Sequence, residues 1–360
     1  MRGAVVFGGY GTFGSQVARG LARLGVPTVI AGRDLGKAEE FAGRLGPPHR
    51  ALAADVAKLD SCIEALGDSF VAVNCAGPFS ILGRAILDAC LETACDYADI
   101  SEDRGYAAMV RDYSEGFKKR GLTAVYGCSS LPAISGALGL LASEGANTSP
   151  GNVRVSLFIG NNNPKGFAAI RSAVGLLGKE IDAPQGKLLG FRDGETVFLP
   201  EPFGRRRVYN FDSPEYDLFP ELFGARSVSV KVGFELKSAN RTFALLAALS
   251  SNYGDGIAII IERVGRLFSG IGSSGGAVMT ELFYADGSIR RAALSSNEDA
   301  QRMAALPCVL AVEALCNGSA KIHGTVTAYE LLGASVMLNR IASEGCFKLT
   351  TKTQRHKDSL

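Results

Sequence analysis

The sequence predicts an α/β protein, in which an N-terminal Rossmann domain with a doubly wound parallel sheet precedes a second α+β domain of mixed or antiparallel sheet. Three observations carry that prediction. Up to Gly145, short apolar runs alternate with amphipathic helical stretches, and strands alternating with helices over short connections make a parallel sheet covered on both faces. A glycine-rich loop joins the first strand to the first helix. Beyond Gly145 the strands follow one another with few helices between them, the texture of an antiparallel or mixed sheet.

The elements read as follows. Ala4–Phe7 is a strand, followed by the loop and a helix over Thr12–Leu24. Strands at Thr28–Ala31, Ala51–Ala54 and Phe70–Val73 are followed by helices near Leu35–Leu45, Ser61–Leu66 and Ile81–Leu91. Tyr97–Ile100 and Leu122–Tyr126 supply a fifth and a sixth strand, which fits the order of a dinucleotide-binding domain. After a connection at Asn147–Asn152 come strands at Val153–Ile159, Lys187–Leu199, Arg205–Asn210 and Ser227–Leu236. Met279–Leu294 reads as a hairpin turning at Ala285-Asp286-Gly287, since Asp-Gly is a strong hairpin signal. Helices are expected at Phe167–Leu177, Thr242–Ser250 and Ala300–Leu315, the last kinked at Pro307. In Gly256–Phe268 the residues Ile257, Ile260, Ile261, Val264 and Phe268 keep helical spacing, which predicts a core-facing helix, with a membrane-surface helix as the alternative. The expected division is 1–145 for the Rossmann domain, 146–297 for the second domain, 298–349 for a helical segment returning to the first, and 350–360 for a flexible tail.

Composition narrows the function. Apolar residues make up 47%, charged residues 21%, and the formal net charge is +2, so no basic face argues for nucleic acid. No apolar run reaches the roughly 18 residues of a membrane span. No secretory or transit signal opens the sequence, so the expected location is cytoplasmic. The eight cysteines contain no Cys-x-x-Cys pair and the three histidines stand far apart. Reduced thiols and no metal site are expected.

Gly9-Tyr10-Gly11-Thr12-Phe13-Gly14 lies where a phosphate loop belongs. The first glycine allows a tight turn, the second lets backbone approach pyrophosphate, and the third lets helix pack on strand. The helix N-terminus then offers free N–H groups to the phosphates. The second strand ends in Ala31-Gly32-Arg33, where an NAD enzyme usually places an acid. An arginine there pairs with a 2′-phosphate, so NADP(H) is favoured over NAD(H), with Asp34 assigned to cap the next helix. Asn74-Cys75-Ala76-Gly77-Pro78 ends the fourth strand. Backbone at Ala76, Gly77 and Pro78 is expected close to the nicotinamide ribose, the alternative being that Gly77 and Pro78 simply end the strand.

With Gly8 to Gly14, Ala31-Gly32-Arg33-Asp34, Asn74 to Phe79 and Ala94-Cys95-Asp96-Tyr97-Ala98-Asp99, the chain resembles the saccharopine dehydrogenase-like family. The resemblance implies NADP(H) use, an adenine contact at Asp55, which reads equally as a helix cap near Leu59, and a second domain that forms a homodimer. One departure stands out. Saccharopine reductases carry Gly-x-Asp-Pro-Gly after the sixth strand, whereas this chain has Gly127-Cys128-Ser129-Ser130-Leu131-Pro132, with Ser129 in place of the substrate-site Asp. In this it looks more like the branch that includes trans-acting enoyl reductases.

Tyr97 and Asp99, at the end of the fifth strand, are candidates for proton transfer or substrate orientation, or for plain packing and capping. Cys128 is a candidate because it opens the next helix, where a thiol pKa can fall; its other reading is a small buried residue. The expected function is an NADP(H)-dependent oxidoreductase that transfers hydride to or from a small or lipophilic carbonyl, imine or enoyl substrate. The alternative is an NADP(H)-binding protein without turnover.

Overall fold

The computed structural model describes residues 3–67 and 69–354. The strands are β1 Ala4–Phe7, β2 Thr28–Gly32, β3 Arg50–Ala53, β4 Val71–Asn74, β5 Asp96–Asp99, β6 Thr123–Tyr126, β7 Asn152–Ile159 and β8 Glu180–Ala183. They continue with β9 Gly186–Leu189, β10 Glu195–Leu199, β11 Gly204–Asn210, β12 Ser227–Phe234, β13 Gly276–Phe283, β14 Ile289–Ser296, β15 Gly324–Thr327 and β16 Phe347–Gln354. The described residues form two compact units, one within 3–129 with 304–333, the other of 130–303 with 334–354.

The first unit is built on a parallel sheet of order β15-β6-β5-β4-β1-β2-β3. The order reverses between β1 and β4, the switch point at which doubly wound sheets bind ligands beyond the strands' carboxyl ends. Both strands are buried along their whole length, as the apolar runs Ala4–Phe7 and Val71–Val73 require. Helix Gly14–Arg23 buries Gly14, Val17, Ala18 and Leu21, the i, i+3, i+4, i+7 stripe of a helix laid on a sheet. Helix Ala300–Cys316 runs through Pro307, and its Val309 packs so closely on Gly20 that a Cβ there would lie 2.5 Å from Val309 Cγ2.

The second unit has a mixed sheet of order β10-β11-β12-β7-β13-β14-β16. β7 pairs in parallel with β12, and the other pairings are antiparallel. Phe158, Val197, Leu199, Phe203, Val208 and Met279 form one core cluster. Beside it Glu281, almost wholly buried, receives Arg154 at 2.5 Å and Arg291 at 3.7 Å. A buried carboxylate is tolerable only with such partners. A second cluster joins Ile170, Val174, Phe191, Phe243, Ala247 and Ala258. Asn161, Asn162 and Asn163 clamp the glycine-rich loop after helix Asp255–Leu267: their side-chain amides donate to carbonyls of Phe268, Ile271, Gly272 and Gly275.

Several expectations need correction. The first unit ends at Ser129 rather than at residue 145, and only 304–333 of the late segment returns to it, while 334–349 belongs to the second unit. Residues 350–354 of the expected tail lie in β16, paired with β14; residues 355–360 lie outside those described. The strand expected over Lys187–Leu199 is broken into β9 and β10, because Phe191 and Asp193 take left-handed φ values of 56° and 48° that no strand contains. β8 and β15 were not expected. Helix Asp255–Leu267 turns Ile257 and Ile261 inward as predicted, together with Ala258, but Ile260, Val264 and Phe268 point to solvent.

Candidate active site

The site is built at the carboxyl ends of β1, β2, β4, β5 and β6, all within the first unit. Gly8 turns the chain out of β1 at φ 72°, and a Cβ on it would lie 2.9 Å from the Ala76 backbone. Only glycine suits such a position. Gly11 N–H donates to Gly8 O, at 2.8 Å, and closes the turn. A Cβ on Gly14 would fall 2.2 Å from Gly8 O, and one on Gly9 would fall 2.8 Å from Val6 O. These contacts hold the start of helix Gly14–Arg23 against the strand. That helix has no side-chain cap and no acid in its first turn. The N–H groups of Thr12, Phe13 and Gly14 have no backbone acceptor among the described residues. Three adjacent open donors at a helix start fit a pyrophosphate.

At the end of β2 the Tyr10 ring covers Gly32, where a Cβ would meet it at 2.4 Å, and the Tyr10 hydroxyl accepts from Asp34 N–H at 3.1 Å. The Asp34 side chain caps helix Leu35–Leu45 by accepting from Lys37 N–H at 3.1 Å, and it pairs with Lys37 Nζ at 3.1 Å. These bonds to Lys37 hold its carboxyl below the usual range. Its neighbour Arg33 is exposed and makes no ion pair among the described residues. The acid at this strand end is therefore committed to the cap and the guanidinium is not. Asp55 is not a helix cap: Oδ1 accepts from Ala57 N–H in a local turn, while the position before helix Leu59–Leu66 is held by Lys58.

At the end of β4, Asn74 is wholly buried. Its Oδ1 accepts from Ala76 N–H at 3.1 Å, which shapes the Ala76-Gly77-Pro78 turn, and its Nδ2 donates to the Tyr106 hydroxyl at 3.0 Å. Tyr106 in turn meets the Tyr97 hydroxyl at 2.9 Å, and the Phe79 ring stands edge-on to Tyr106 at 5.0 Å. Asp99, opposite Asn74 in the sheet register, is also buried. Its Oδ1 accepts from Ser101 N–H and Gly127 N–H, each at 2.9 Å, so the carboxyl ties the exit of β5 to that of β6. Oδ2 is buried with no hydrogen bond of normal geometry. Burial raises this carboxyl to about 7 despite the two N–H donors and the nearby Tyr97 hydroxyl, the response of a carboxylate taken out of water. Burial likewise pushes the Tyr97 and Tyr106 phenols up.

Cys128 does not fit the expected activated thiol. It is wholly buried, and its Sγ lies 3.5 Å from Val125 O. Burial and the Asp99 charge push its pKa well up, not down. No helix opens at Cys128 either: a kinked turn over Ser130–Ile134, with Leu131 extended, intervenes before helix Ser135–Ser143.

Sequence reading missed Glu102. Ser129 Oγ donates to Glu102 Oε1 at 2.8 Å, joining the loop after β6 to the loop after β5. Where the family resemblance implied a lost carboxylate at Ser129, a half-buried one stands beside it from the neighbouring strand. The available signal was position, since Glu102 follows Asp99 by three residues at the sheet edge that lines the crevice.

An all-parallel sheet, a glycine turn and an open helix start at the switch point define a dinucleotide-binding unit. Residues 4–125 match the family described as saccharopine dehydrogenase NADP binding domain, which is what this part of the chain is similar to. The chain is 32% identical over 151 residues to a probable mitochondrial saccharopine dehydrogenase-like oxidoreductase of Arabidopsis thaliana, covering 37% of this chain and 33% of the relative. It is 30% identical over 143 residues to carboxyaminopropylagmatine dehydrogenase of a Synechocystis species, covering 37% of this chain and 35% of that protein. The matches thus span about a third of each curated relative. Among solved structures, apo saccharopine dehydrogenase (L-Glu forming) from Saccharomyces cerevisiae aligns over 98% of this chain and all of its own, with a TM-score of 0.68. Its identity of 13% makes this a likeness of fold.

Proposed function

We propose that the chain is an NADP(H)-dependent oxidoreductase acting on a small or lipophilic substrate with a carbonyl, imine or activated C=C group. The observation that carries this reading is the pairing of Glu102 with Ser129 at the sheet edge that also bears the open helix start. A dinucleotide site alone binds; a carboxylate at the same edge adds a group that can hold or move a proton.

In this reading Thr12, Phe13 and Gly14 N–H groups hold the pyrophosphate, Arg33 pairs with the 2′-phosphate, and Asp55 lies toward the adenine. The bound nicotinamide supplies the hydride. Backbone at Ala76, Gly77 and Pro78 flanks its ribose, in a turn fixed by Asn74. Glu102, oriented by Ser129, serves the substrate's heteroatom as proton donor or acceptor, or as counter-charge to a cationic nitrogen. Tyr97 and Asp99, wholly buried, touch no substrate and act as positioning residues: Asp99 fixes the exit of β6 that carries Ser129.

The test is titration of the purified chain with NADPH and NADH by nicotinamide fluorescence, followed by a panel of carbonyl, imine and enoyl acceptors. Tight NADPH binding, weak NADH binding and oxidation of NADPH with one acceptor class are expected. Binding without turnover across the panel would leave an NADP(H)-binding protein. No binding of either nucleotide would overturn the reading altogether.

A further inference from the structure

Half of the exposed large apolar side chains among the described residues fall between Leu245 and Ile271 in the second unit. Helix Asp255–Leu267 carries two apolar stripes. Ile257, Ala258 and Ile261 face the core cluster of Ile170, Val174 and Phe243. Ile260, Val264 and Leu267, spaced i, i+4, i+7, form a second stripe in solvent, with Leu267 80% exposed. Phe268 and Ile271 extend it into the loop that Asn161 and Asn162 hold in place. Helix Lys237–Leu249 repeats the pattern: Phe243 and Ala247 are buried, while the row Lys237, Arg241, Leu245, Leu249 is exposed.

Charge decides the occupant. The only two carboxylates in these helices are already neutralised, Asp255 by Arg171 at 2.7 Å and Glu262 by Arg266 at 2.5 Å. Lys237, Arg241 and Arg263 are exposed and have no ion-pair partner among the described residues. Arg263 sits on the apolar stripe itself, between Ile260 and Leu267. A two-fold contact with a second copy would enclose these cations with no acid to meet them. A bilayer with anionic headgroups accepts both features, burying the stripe at the acyl boundary while the long cationic side chains reach the headgroups.

We infer that helix Asp255–Leu267 and the loop through Ile271 form a membrane-docking ridge that seats this chain on an anionic lipid surface. The test is flotation of the full chain with unilamellar vesicles of phosphatidylcholine, with and without phosphatidylglycerol, alongside light scattering without lipid. Flotation with the anionic vesicles is expected, weakening in high salt. Ile260→Ser with Leu267→Ser should lower the bound fraction about tenfold or more, with the melting temperature unchanged because both sites are exposed. Arg263→Ala should lower it about fivefold on anionic vesicles alone, the effect of roughly one cation at a charged surface. The inference fails if neither vesicle floats the chain or if neutral and anionic vesicles bind it equally. A lipid-free dimer that the double serine variant dissociates would assign the ridge to a second copy instead. NADPH binding plays no part in these readouts.

Discussion

Asp99→Asn isolates the energetic role of the carboxyl that joins β5 to β6. Burial raises its pKa from 3.8 to about 7 in the folded chain, and the unfolded chain returns it to its ordinary value. The folded state therefore keeps a proton that the unfolded state releases. The associated stability is complete below about pH 4, falls as pH rises toward 7, and is absent above it. At 1.36 kcal/mol per pKa unit the whole span is on the order of 4 kcal/mol. Asparagine keeps an oxygen for the Ser101 and Gly127 N–H groups and carries no charge, so its contribution does not titrate. Urea unfolding of both proteins at pH 5 and pH 8 measures the effect. Taking the difference between the proteins at each pH cancels every other titrating group. That difference should move against the parent chain by roughly 2–3 kcal/mol between the two conditions. A difference that stays constant with pH would refute the claim that this carboxyl is held protonated by burial.

Arg33→Ala should raise the Kd for NADPH about 10- to 100-fold, the value of a charge-assisted pair, and leave NADH within about twofold by fluorescence titration. Glu102→Gln should lower turnover by about 10²-fold or more with NADPH affinity unchanged, whereas a merely structural Glu102 would shift stability and leave the pH profile of turnover in place. With a chromogenic disulfide reagent, Cys346, the exposed thiol among the described cysteines, should react first, and Cys346→Ser should remove that phase. Cys128 should stay silent until the chain unfolds, since burial both shields it and keeps it protonated.

The doubly wound order and the phosphate loop were legible because both are written locally. Apolar runs, helical periodicity and glycine spacing each act within one βα unit, and Asp34 stands directly before the helix it caps. What stayed hidden depends on distant partners. Gly324–Thr327 is only four residues long and becomes a strand because β6 offers an edge. The end of the first unit at Ser129 has no change of composition to mark it, since the apolar texture continues through Leu141. Glu102 and Ser129 lie 27 residues apart and meet only because β5 and β6 are neighbours. Of the two readings of Cys128 the small buried residue fits and the activated thiol does not, because sequence showed a turn after a strand but not the core that closes over it.

The placement of β15 has a consequence for synthesis. Thr123 Oγ1 donates to the carbonyl of Ile322, a residue 199 positions later, and the whole of β15 then zips onto β6. At the roughly 5–20 residues per second of a translating ribosome, β6 waits about 10–40 s for its outer neighbour. Through that interval the nascent sheet presents unpaired backbone along a strand that the finished fold buries completely, a template for any other extended chain. The interval of greatest hazard for this protein is therefore set by the distance along its messenger between two adjacent strands, and slowing elongation after residue 126 would lengthen it.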